Sequence, residues 1–111
     1  MNEQQLKLLA DIEDAIVSID GHLSGKRDFD AYLENKTVRR AVERELEIIG
    51  EAVSKLLNID PNIPLSFARQ IVDMRNRVIH AYDTVDHVIV WKTVVKDLPV
   101  LLSEVKGLLS E

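Results

Sequence analysis

Apolar residues recur every three or four positions through most of the chain, which is the spacing of amphipathic α-helices. The first segment of this kind runs from about Glu3 to Asp20, and the longest runs from about Lys36 to Leu57. Asp28–Glu34 is predicted to be a short helical entry to the long one. The apolar face of the first helix is formed by Leu6, Leu9, Ile12, Ile16 and Ile19. The stripe of the long helix is formed by Val38, Ala41, Val42, Leu46, Ile49, Val53, Leu56 and Leu57.

Two further helices follow the proline-containing stretch NIDPNIP (58–64), which predicts a loop because proline cannot donate a backbone hydrogen bond. Ser66 is a plausible N-cap for a third helix that runs to about Tyr82. The last helix is predicted from Val88 to about Leu109, with Asp86 as a candidate cap and a kink at Pro99.

Short connections between long helices favour antiparallel neighbours. The fold class predicted is therefore all-α, an antiparallel up-and-down bundle of four to five helices in one domain over residues 1–111. Gly50 lies inside the long helix, where it costs roughly 1 kcal/mol relative to alanine. We expect a neighbouring helix to approach closely at that position.

Charge and composition narrow the class of function. The net charge is −5, with 14 basic and 19 acidic residues, which argues against coating nucleic acid by bulk charge. A local basic site for nucleic acid is still compatible with this charge, because residues 36–44 contain four basic residues and one acidic residue. The chain has no cysteine, no signal-peptide pattern and no apolar run long enough to span a bilayer, so a cytoplasmic location without membrane contact is expected.

The third helix has an unusual distribution of charge. Its polar face is formed by Arg69, Asp73, Asn76, Arg77 and His80, within an arc of about 100°. Arg75 lies outside that arc, in the wide apolar sector. A guanidinium there must pair with a carboxylate, reach solvent along its stem or lie at a subunit interface. On a straight helix Arg75 and His80 are about 140° apart, so one copy assembles a joint site only if the helix loosens near His80. Otherwise a second copy is needed.

The string MRNRVIHAYDTVD (74–86) resembles the signature of HepT-type HEPN proteins, the toxins of HEPN–MNT (type VII) toxin–antitoxin pairs. Their motif is Arg, four to six residues, His, any residue, Tyr, which Arg75, His80 and Tyr82 match with the shortest gap. ELEIIGEAV (45–53) and IVWKTVVKDLPVLL (89–102) resemble the same family, so the likeness covers roughly residues 6–109.

This resemblance implies a homodimer that forms through the motif helices, with Arg75 and His80 of both protomers in one cleft. It implies a metal-independent endoribonuclease that cuts RNA and not DNA, with Asn76 in a supporting role and no cofactor. It also implies a nucleotidyltransferase antitoxin that silences the toxin by transferring AMP to Tyr82. Arg77 is a weaker candidate for RNA contact.

Two other functions remain open from the sequence. The chain could be a non-catalytic helical module that scaffolds a nucleotidyltransferase, or a purely structural dimeric bundle. A zinc site is not expected, because the three histidines are far apart and lack ligand spacing. Residues outside the motif have simpler interpretations: His22 and His87 are expected at the surface, and Trp91 in the core or an interface.

Overall fold

The computed structural model of the protein describes residues 1–80 and 86–111, and for residues 77–80 it describes the helical backbone alone. All regular structure in those ranges is helical, which confirms the predicted all-α, HEPN-like bundle. The elements are α1 (Glu3–His22), α2 (Phe29–Glu34), α3 (Lys36–Ile59), α4 (Ala68–His80), α5 (His87–Lys92), a π-helical turn (Thr93–Asp97) and α6 (Leu98–Leu109).

Four helices begin at a side chain that accepts a hydrogen bond from the first turn. Asn2 accepts from the Gln5 N–H at 2.8 Å, and the Gln5 side chain accepts from the Asn2 N–H in return. Asp28 and Asn35 cap α2 and α3 in the same way. Asp86 accepts from two N–H groups of α5, so the predicted cap is confirmed. Each cap is worth about 1 kcal/mol, because it satisfies a donor that the helix leaves unpaired.

Contacts between the elements show that neighbouring long helices are antiparallel. Leu23, just after α1, lines one cavity with Val38 in the first turn of α3, and His22 lies 3.2 Å from the carboxylate of Glu45 in the first half of α3. Ser66, just before α4, binds Glu104 in the second half of α6. The chain therefore runs up and down through the bundle, with α3 packed between α1 and α4.

The core lies where the apolar stripes of α1, α3 and α6 meet. Its fully buried members are Leu9, Ile12, Val42, Ile49, Val53, Leu56, Leu101 and Val105. Leu6 was expected on this face but is 39% exposed. The buried arc of α1 is centred about 120° from Leu6 on the helical wheel, and Leu6 lies about 60° beyond its edge. Within the described ranges, no helix is both long and apolar enough to cross a membrane.

The structure corrects one predicted helix detail and locates another. α4 begins at Ala68, and the hydroxyl of Ser66 donates to Glu104 at 2.7 Å, so Ser66 does not cap α4. The distortion expected at Pro99 lies in the turn before it, where the Leu98 N–H donates to the Thr93 carbonyl in π-helical geometry. Pro99 then occupies the first turn of α6, where its missing N–H is not needed.

Candidate active site

The helix that carries the motif packs one face on the bundle. Ala68, Ile71 and Met74 of α4 are buried, as the apolar stripe predicted. Asp73 and Asn76 are exposed on the polar face. Arg75 is half-buried and lies where α4 crosses α3.

The crossing of α3 and α4 is closest between Gly50 and Arg75. A Cβ atom placed on Gly50 would lie 2.6 Å from the Cγ of Arg75 and 3.4 Å from its Cδ, and nearer still to its Cβ. The close approach predicted from a glycine inside the long helix is therefore confirmed, and its partner is the arginine of the motif. The aliphatic stem of Arg75 lies directly on the backbone of α3.

The guanidinium of Arg75 is only partly satisfied. Its Nη1 donates to the Oδ1 of Asn76 at 3.3 Å, and its buried Nε has no hydrogen-bond partner in the described part of the chain. Among the described side chains Arg75 forms no ion pair, while Asp86 is engaged as the cap of α5. Asp83, another carboxylate close to Arg75 in sequence, lies outside the described residues. A half-buried cation with spare donors is suited to hold a phosphate group.

The backbone of α4 remains α-helical as far as His80. Positions 75 and 80 are therefore separated by about 140° around the helix axis. The described backbone shows no loosening of the helix up to His80. The side chains of Arg77 and His80, and Tyr82 as a whole, lie outside the described residues.

An aromatic and polar cluster, which the motif does not include, surrounds Tyr32. Its ring is 2% exposed and packs against Trp91, with centroids 5.0 Å apart, and against His87. Tyr32 Oη and Glu43 Oε2 are buried without a hydrogen-bond partner among the described residues. Burial, and then the charge of Glu43, raise the pKa of Tyr32 to about 12. Trp91 packs against the core, as expected. His87 is half-buried and not simply at the surface.

Sequence reasoning missed the Tyr32 cluster because its members are distant in the chain and follow no motif. Tyr32 precedes α3, Glu43 lies within it, and His87 begins α5. The only signal was the i, i+3 pairing of Phe29 with Tyr32, whose rings are stacked 6.5 Å apart.

The basic segment at the start of α3 is largely engaged within the helix. Arg40 pairs with Glu43 at 3.0 Å, and Arg44 pairs with Glu47 at 3.2 Å. Arg39 donates to the backbone carbonyl of Leu33. These contacts favour a structural role for the segment over a free cationic surface.

A cleft of about 270 Å³ lies between α4 and the π-helical turn. It is lined by Gln70, Asp73, Met74, Ile89, Lys92, Thr93 and Asp97. Burial raises the pKa of Asp97, and the nearby charge of Lys96 lowers it less. Two carboxylates against one lysine would repel a phosphate, so this cleft is a poorer candidate for RNA than the surroundings of Arg75. Within the described ranges, no three His, Asp or Glu side chains are grouped as metal ligands would be.

Comparison with known proteins agrees with the motif. The family described as "Ribonuclease HepT-like" matches residues 12–108. A protein of Methanocaldococcus jannaschii, named as a candidate RNase, is 40% identical over 84 residues, which cover 71% of this chain and 73% of the relative. A "Probable ribonuclease HepT" of Thermococcus cleftensis is 38% identical over 105 residues, covering 91% of this chain and 92% of the relative. No solved structure gives a significant match. The chain belongs to the HepT-like ribonuclease family of HEPN proteins.

Proposed function

We propose that the protein is a HepT-type toxin, a metal-independent endoribonuclease whose site is shared between two copies of the chain. The observation that carries this proposal is the guanidinium of Arg75. It is half-buried, has no carboxylate partner in the described part of the chain, and lies on the same helix as His80. A cation held in this way is costly for folding alone, and such groups are often found at functional sites.

The chemistry needs one base and one cation. His80 takes the proton from a ribose 2′-hydroxyl, since an imidazole is the side chain that accepts protons near neutral pH. The 2′-oxygen then attacks the adjacent phosphorus and the bond to the 5′-oxygen breaks. The departing 5′-oxygen takes a proton from solvent water, which leaves a 2′,3′-cyclic phosphate and a 5′-hydroxyl end. Arg75 binds the phosphate and offsets the charge that gathers on its oxygens. DNA lacks the attacking hydroxyl and is not cut.

The helical register of α4 supports the dimer. Because positions 75 and 80 are about 140° apart, one copy is poorly arranged to direct both groups at one phosphate. A twofold axis beside α4 brings Arg75 of one protomer towards His80 of its partner. Asn76, whose Oδ1 accepts from Arg75, supports the guanidinium and keeps its amide N–H groups for a phosphate oxygen. Arg77 contributes a weaker attraction for RNA.

The partner in this proposal is a nucleotidyltransferase antitoxin that attaches AMP to Tyr82. Tyr82 is two residues after His80, so an adduct there adds bulk and negative charge next to the cleft. Such an adduct repels the phosphates of RNA and blocks access.

Growth measurements test the activity. We expect expression of the chain alone to slow bacterial growth, and Arg75→Ala or His80→Ala to abolish the effect while circular dichroism shows native helix content. His22→Ala is a control histidine variant, because His22 lies outside the motif helix and its exposed ring pairs with Glu45. Equal toxicity of the wild type and His80→Ala would exclude the proposed catalytic role.

The ends of the cleaved RNA test the mechanism. Purified protein treated with EDTA should still cut total bacterial RNA and leave cyclic phosphate ends. Loss of cutting in EDTA, restored by a divalent cation, would replace this mechanism with a metal-dependent one. Folded protein that cuts no RNA with or without EDTA would favour the non-catalytic module that scaffolds a nucleotidyltransferase.

The partner is tested by mass spectrometry after co-expression with a nucleotidyltransferase encoded beside the toxin gene. We expect the mass of AMP on Tyr82 and restored growth. Restored growth with unmodified Tyr82 would indicate that the partner masks the site by binding.

A further inference from the structure

Gly50 differs from the other helical glycines in what surrounds it. It is buried, and an added Cβ would overlap the stem of Arg75. At Gly21 of α1 and Gly107 of α6, the same added Cβ has no described atom within 4 Å apart from the glycine's chain neighbours and its own helix backbone. A glycine inside a helix costs about 1 kcal/mol relative to alanine, so α3 alone would be more stable without Gly50. In the described part of the chain, the three atoms nearest to the added Cβ all belong to the side chain of Arg75.

The contact determines where the guanidinium lies. The Cβ, Cγ and Cδ atoms of Arg75 lie along the backbone of α3 at Gly50. Beyond that point Nε is buried and Nη1 reaches Asn76, at the exposed edge of the crossing. The head group is therefore fixed from two sides, by the α3 backbone under its stem and by the amide beside its tip. A side chain on Gly50 would move the stem off α3 and displace the head group.

We propose that Gly50 is a positioning residue for the ribonuclease reaction: its missing side chain sets the depth and direction at which Arg75 presents its guanidinium to the phosphate. This inference rests on the proposed function. Displacement of a catalytic group by about 1 Å can lower a rate on the order of 100-fold, so the effect should be large even where the fold is retained.

The test is a double-mutant cycle on RNA cleavage, with wild type, Gly50→Ala, Arg75→Lys and the double variant. Lysine keeps the stem and the charge of Arg75 but loses the planar fork of donors. In the wild-type background, Arg75→Lys should lower kcat/KM on total bacterial RNA about 10-fold or more. Gly50→Ala alone should lower kcat/KM about 10-fold to 100-fold. In that background, Arg75→Lys should lower kcat/KM by less than a further factor of about 3, because the guanidinium no longer reaches the phosphate even when Arg75 is present.

Gly107→Ala is the matched control, since it also adds a methyl group inside a helix but meets nothing. It should leave kcat/KM within about 2-fold of wild type and raise stability by up to about 1 kcal/mol. If Gly50→Ala alone is partly unfolded, the cycle is repeated with Gly107→Ala added to every member. All rates are compared at a temperature where circular dichroism shows native helix content.

The outcomes separate the inference from the proposed function. Equal cost of Arg75→Lys in both backgrounds would mean that Gly50 only allows the helices to pack, which overturns the inference and leaves the ribonuclease in place. The same conclusion follows if Gly50→Ala fails to fold even with Gly107→Ala. Cleavage that is unchanged in His80→Ala, by contrast, would remove the proposed function itself.

Discussion

Tyr32 and His87 meet edge to face, with ring centroids 6.3 Å apart, so α2 packs against the first residue of α5. The contact holds the start of α5 against α2, directly after residues 81–85 in the sequence, which include Tyr82. The pKa of the Tyr32 phenol therefore depends on how α2 and α5 pack together.

The titration of Tyr32 should differ from that of an ordinary tyrosine. Its pKa is raised from 10.0 to about 12, so the folded chain holds the phenol proton more tightly than the unfolded chain does. The resulting stabilisation is fully present below about pH 10 and is lost as the pH rises to about 12. It amounts to roughly 2–3 kcal/mol at most.

Absorbance at 295 nm of the Tyr82→Phe variant measures this titration, because Tyr32 is then the only tyrosine. Glu43→Gln should lower the pKa of Tyr32, since Glu43 is the second cause of the shift. A midpoint near pH 10 in the folded protein would show that Tyr32 is not buried beside Glu43.

Ser66 and Glu104 should be coupled in stability. The Ser66 N–H and hydroxyl both donate to the Glu104 carboxylate, across 38 residues of sequence. A double-mutant cycle with Ser66→Ala and Glu104→Ala should give a coupling of about 1 kcal/mol in urea unfolding. Ser110→Ala is the control, because the Ser110 hydroxyl donates to the Gly107 carbonyl in its own turn. The coupling energy between Ser110→Ala and Glu104→Ala should be near zero. Additive losses at Ser66 and Glu104 would contradict the contact.

Leu9 and Leu6 should respond differently to truncation, although both were predicted on one apolar face. Leu9 is 0% exposed and Leu6 is 39% exposed. Leu9→Ala should cost about 2–5 kcal/mol in the free energy of unfolding, whereas Leu6→Ala should cost less than about 1 kcal/mol. Equal losses would mean that a partner or a second copy covers Leu6 in solution.

Apolar periodicity was enough to predict the fold, because each long helix buries one face. The bounds of α1 and α3 differ from those predicted by about two residues, and Asp28, Asn35 and Asp86 are polar caps at the helix starts. The start of α4 could not be predicted in this way. Ser66 has the chemistry of a cap, but its hydroxyl is engaged by Glu104, which only the packing of α6 brings near.

The candidate site was predictable in its residue types and not in its geometry. The spacing of Arg75, His80 and Tyr82 suggested the chemistry, and Gly50 suggested a close helix. A periodic pattern within each helix does not determine which residues of two helices face each other. The contact between Gly50 and Arg75 could therefore be found only in the three-dimensional structure. The Tyr32 cluster needed them for the same reason, since its contacts join three separate elements.

Complementation between two inactive variants tests most directly whether Arg75 and His80 act across a dimer. Arg75→Ala and His80→Ala are each purified, mixed, and allowed to exchange subunits, with native mass spectrometry to confirm the mixed dimer. Each variant alone should cut RNA about 100-fold more slowly than wild type, and the mixed dimer should recover about a tenth or more of wild-type activity. In the mixed dimer, Arg75 of the His80→Ala protomer and His80 of the Arg75→Ala protomer are both intact and face each other across the dimer interface. A mixed dimer that forms but is no more active than either variant alone would contradict a site shared between protomers.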